Sequence, residues 1–161
     1  MSCDVAIAAF LMFASTQSAT QSAPAPTLIP AVAAAPQSVA QEPLFRDIVD
    51  RATGLKGQVE SWRASIGMAA DPIPLIGFDA FSAKVGELSA LDQKGHETLK
   101  ARGAADDLKC ILHGISQDLP LKLQAVKEAK TGHDEDLALR DMSYLLRDNI
   151  EVITAPPQPA A

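Results

Sequence analysis

"PLFRDIVDRATGLKGQVESWRASI", residues 43 to 66, decides the fold. Phe45, Ile48, Ala52, Leu55, Val59, Trp62 and Ile66 recur in alternating steps of three and four. That spacing puts all seven on one face of a helix, the seam of a helical bundle. Pro43 suits a first helical turn, and Gly67 can end the helix. Gly54 and Gly57, off that stripe, cost the helix about 1 kcal/mol each against alanine and suggest close approach by a neighbour.

Three further helical patterns follow. After "DPIPLIG", the residues Phe78, Phe81, Val85, Leu88 and Leu99 share a face that ends near Gly103. A third pattern runs from about Ala104 to Lys130, with Leu108, Leu112, Ile115, Leu119 and Val126 in line. Pro120 falls inside it, where Asp118 can cap a new start, so the third helix is expected as two pieces with a bend near Ser116 to Asp118. The fourth follows "TGHDED", with Leu139, Met142, Leu146, Ile150 and Ile153 as its stripe and acidic residues near its first turn. No alternating strand pattern competes. The reading is an all-α, antiparallel four-helix bundle over residues 43–154.

Composition agrees. The 161 residues are 47% hydrophobic but only 4% aromatic, which suits helix packing better than a sheet sandwich. A net charge of −6, with all 14 Lys and Arg interleaved with acids between Arg46 and Arg147, argues against nucleic acid.

The flanks differ from the core. "VAIAAFLMFA", residues 5–14, has the length of a signal-peptide apolar segment and is too short to span a bilayer. Residues 1–22 therefore read as a signal peptide, although "MSCD" lacks the usual basic residues and the true start can lie upstream. Residues 23–42 form an Ala/Pro/Ser/Gln-rich linker expected to be disordered, and residues 155–161 a similar tail. These expectations place the mature chain in the periplasm or outside the cell, with no membrane span. The alternative is a cytoplasmic protein with a disordered N-terminus.

Two surfaces are candidates for binding a protein partner. One is the connector Pro72, Ile73, Pro74, Leu75 and Ile76, too apolar to wave in water and too proline-rich for regular helix. It can cover the core as a lid or receive a partner. The other is a secondary face of the third helix carrying Cys110, His113, Gln117 and Leu121, turned roughly 140–200° from the apolar stripe. Cys110 and His113, three residues apart, can share an ion, but zinc wants three or four ligands and no second pair supplies them. No metal site is expected there. With Cys3 removed beside a signal peptide, Cys110 would be a lone surface thiol capable of linking a homodimer. Asp92 and His96, one turn apart beside the second stripe, form a candidate polar pair.

Phosphate-binding loops, G-x-S-x-G, CxxCH and repeated Glu-x-x-His are all missing from the sequence. No enzyme and no cofactor is expected. The functional expectation is a non-enzymatic exported bundle acting as a protein-binding or structural module of the cell envelope. The alternative is a small-ligand carrier holding haem or metal through His96, His113, His133 or Met142.

Overall fold

All seven stripe residues of the first helix are buried in the computed structural model, which describes residues 39–104 and 107–155. These lie in one unit of the chain, Pro36–Ala161. Four helices make it up: α1 (Pro43–Ile66), α2 (Phe78–Ala101), α3 (Leu108–Glu128) and α4 (Gly132–Thr154). Helix α1 packs on α2 and α4, and α3 packs on the same two, so α1 faces α3 and α2 faces α4 across one core. Phe45, Ile48, Leu88, Leu112, Leu119, Leu139, Met142 and Leu146 are wholly buried there. The expected signal peptide, most of the linker and nearly all of the tail lie outside the described residues. The linker's last residues do not continue as linker: Val39–Gln41 form a short 3-10 turn against the core, and Glu42 pairs with Arg102 at 2.7 Å.

Helix α2 keeps the alternating step without a break: Phe81, Val85, Leu88, Asp92, Gly95 and Leu99 are all buried. On α4 the inward series is Leu139, Met142, Leu146, Asn149 and Ile153. Asn149, and not Ile150 as the apolar pattern suggested, occupies the inner position; Ile150 is only half-buried. Trp62 closes one end of the core, edge-on to Phe81 at 4.8 Å between centroids.

Helix α3 is one helix, where two were expected, and Pro120 lies within it. A proline at 120 cannot donate to the carbonyl of Ser116 one turn earlier. That carbonyl accepts instead from the Ser89 hydroxyl of α2, at 2.8 Å. The neighbouring helix thus supplies the donor that the proline removed.

The glycines expected to permit close approach do not. A methyl at Gly54 or Gly57 would meet nothing within 4 Å. Close approach occurs at Gly95, where a methyl would stand 3.1 Å from Leu112 and 3.4 Å from Phe45, and at Gly132, where it would fall on the Ala69 carbonyl.

Two results follow for stability. Ser89→Ala should cost about 1–2 kcal/mol, because it leaves the carbonyl of buried Ser116 without a donor. In a Pro120→Ala background, which restores the backbone N–H, urea denaturation should show most of that cost gone. Gly57→Ala should raise the melting temperature, by about 1 kcal/mol of stability, whereas Gly132→Ala should lower it.

Candidate functional site

The connector between α1 and α2 is held at two points. The Gly132 N–H donates to the Ala70 carbonyl at 3.0 Å, and the Ile73 N–H donates to the Glu135 carboxylate at 2.9 Å. Glu135 reaches that position because Thr131 caps α4, its hydroxyl accepting from Asp134 N–H at 3.0 Å, so the first turn of α4 lies against the connector. Glu135 is itself buried. Ile73 and Leu75 pack on the core while Pro72 and Pro74 are exposed. Ile76 is 88% exposed and Met68, at the start of the same segment, fully so.

The second predicted surface is divided. Gln117 and Leu121 face solvent, whereas Cys110 and His113 are half-buried, His113 against Gln93 of α2. No described cysteine is a free thiol, so the lone surface thiol expected at position 110 is not what the structure holds. His113 belongs to a polar seam between α2 and α3. Its Nδ1 lies 2.9 Å from the Gln93 side-chain carbonyl, and Gln93 in turn donates through its amide nitrogen to Glu97 at 3.1 Å. Glu97 can only accept, which fixes the Gln93 amide with its oxygen toward His113 and requires a proton on His113 Nδ1. One turn along, His96 Nδ1 donates to the Lys109 backbone carbonyl at 2.6 Å. The two imidazoles lie 4.9 Å apart between centroids, tilted by 34°.

Asp92 and His96 are both buried, and they bond to different helices. Asp92 crosses the core diagonal: the Asn149 amide donates to its Oδ2 at 2.9 Å. Both side chains are fully buried, and Asp92 Oδ1 and Asn149 Oδ1 are the buried side-chain atoms left without a partner among the described residues. Burial pushes the Asp92 carboxyl up to about 8, against a weaker pull downward from the Asn149 hydrogen bond. At neutral pH it is therefore mostly the neutral acid. A proton on Oδ1 turns that unpaired acceptor into a donor, and Asn149 Oδ1 is an acceptor that needs one.

A groove of about 500 Å³ runs between α1 and α2, with Leu55 and Phe81 as its apolar lining and Arg51, Lys84 and Glu87 among its polar residues. Gly54 opens it. Sequence reasoning missed the groove, and it missed Gln93, Glu135 and Asn149. Asn149 had a signal: the step of three from Leu146 and four to Ile153 lands on it.

The raised Asp92 value has a definite sign. Between the ordinary value of 3.8 and about 8, the folded chain holds a proton that the unfolded chain has released. Its contribution to stability is complete below pH 3.8 and is lost as pH rises through about 8. The slope is at most about 1.4 kcal/mol per pH unit. Asp92→Asn keeps the shape and provides a permanent donor. Relative to the native chain, denaturation across this window should show Asp92→Asn gaining stability steadily with pH. No protein-family model matches the chain, and no curated protein or solved structure is similar to it, so geometry alone carries the functional reading.

Proposed function

We propose that this chain is a non-enzymatic, exported helical-bundle protein that binds a protein partner in the cell envelope through the connector between α1 and α2. In this reading the helices run antiparallel, α3 bends near Ser116 to Asp118, and the Ala/Pro/Ser/Gln-rich stretch ahead of the bundle serves as a linker that lets it reach its partner. Residues 1–22 direct export to the periplasm or beyond.

One observation supports the reading above the rest. The connector is fixed by Glu135 and Gly132, yet it holds Met68 and Ile76 out in water. A free apolar loop would lose entropy when it docks; a pinned one has already lost it, so more of the contact energy appears as affinity. Methionine adapts to an irregular partner surface, and isoleucine adds a rigid apolar anchor. Pro72 and Pro74 limit the backbone between them. No described helix is long and apolar enough to cross a membrane.

The test is site-specific photo-crosslinking in the native host. A photoreactive residue at position 76 should give one discrete adduct, and the same residue at exposed Ala64 should not. Met68→Asp with Ile76→Asp should abolish capture while far-ultraviolet circular dichroism stays unchanged. An adduct of twice the chain mass would identify the partner as a second copy. Equal labelling from positions 64 and 76 would overturn the proposal.

A further inference from the structure

We propose that His96 and His113 form a two-histidine chelate that binds one divalent transition-metal ion through both Nε2 atoms at the α2/α3 seam. The inference stands apart from partner binding at the connector and rests on different residues.

Three features of the seam carry it. First, the tautomers are set. Lys109's carbonyl and Gln93's amide oxygen can only accept, so both histidines keep their proton on Nδ1 and the lone pair of each neutral ring lies on Nε2. A ligating histidine characteristically donates its other nitrogen to a carbonyl or carboxylate, which orients the ring and raises its basicity. Both rings here have that support before any ion arrives. The Gln93–Glu97 hydrogen bond extends it by one further residue.

Second, the spacing fits. With metal–nitrogen bonds of about 2.0–2.1 Å, each imidazole centroid lies about 3.2 Å from the ion, so two adjacent ligands hold their centroids roughly 4.5–5.2 Å apart. The observed separation is 4.9 Å. Third, the seam combines order with access: His96 is 8% exposed, and half-buried His113 leaves a route for an ion. Glu97, exposed at the rim, adds negative charge near that route.

Imidazole donors suit zinc, nickel and copper better than magnesium or calcium. Among the described residues no group of three His, Cys, Asp or Glu side chains converges. The remaining coordination positions therefore fall to water or to donors brought by another molecule, giving an open site of modest affinity in place of a closed structural one.

Zn²⁺ and Ni²⁺ titrations of the untagged full-length chain, followed by calorimetry, test the proposal. The native chain should bind one equivalent. His113→Gln and His96→Gln should each weaken binding by about tenfold or more, and His133→Gln, at an exposed position on α4, should not. Circular dichroism checks that the variants fold; if buried His96 tolerates no change, His113→Gln alone decides. In nitrogen-15 spectra, Zn²⁺ should move the Nε2 resonances of both seam histidines. Failure of the native chain to bind either ion, undiminished binding by His113→Gln, or loss through His133→Gln would overturn the proposal. None of these outcomes touches crosslinking at position 76, so the two ideas fail separately.

Discussion

A carboxyl group in the middle of an apolar core fixes how α2 and α4 face one another. Among the described residues the group bonded to Asp92 is no cation but Asn149, reached across the diagonal from α4. A buried carboxylate of this kind would leave its charge unanswered, and burial resolves the problem by retaining the proton. The constraint is directional. Asp92 must point at Asn149, so the rotation of α2 about its own axis is set, and α4 must bring Asn149 to the same level. Apolar contacts alone would tolerate several such rotations, because leucine and isoleucine repack at modest cost. The acid–amide contact supplies the discrimination that hydrophobic burial lacks.

Once α2 is set by Asp92, its next positions are determined as well. Gly95, three residues on, meets Leu112, Phe45 and Ile48 at the closest helix approach. His96, four residues on, reaches the Lys109 carbonyl. Ser89 and Gln93 fall on the α3 side, where they answer the Ser116 carbonyl and His113. The α2/α3 seam is consequently a ladder of directed hydrogen bonds, while α1 contributes a wholly apolar stripe. Pro120 belongs to this logic. Its missing N–H is tolerable because Ser89 stands where the seam already places a donor.

These differences explain how much the sequence disclosed. The stripe of α1 was fully legible because apolar burial and helical period coincide in it. The stripe of α4 was legible except at Asn149, where reading only apolar residues moved the inner position to Ile150. Gly54 and Gly57 looked like sites of close approach because glycine is costly within a helix, yet the approach occurs at Gly95 and Gly132, whose neighbours come from other parts of the chain. Spacing within one helix likewise paired His113 with Cys110 and His96 with Asp92. The structure pairs the two histidines with each other, seventeen positions apart, through the crossing of two helices. Local sequence shows which face a residue occupies; it does not show what arrives opposite.

The connector shows that covering a core and presenting an apolar surface are one physical arrangement. Ile73 and Leu75 turn inward, and the extended backbone around the prolines sends alternate side chains to the other side. The Glu135 carboxylate then fixes which residues face which way by taking the Ile73 N–H. Removing that carboxylate would free the segment to turn Ile76 toward the core, where apolar burial would favour it. Glu135 therefore does more than cap a loop. Its hydrogen bond fastens the Ile73 backbone three residues before exposed Ile76, and because Glu135 lies on α4, the connector is tied to the packing of the helical unit.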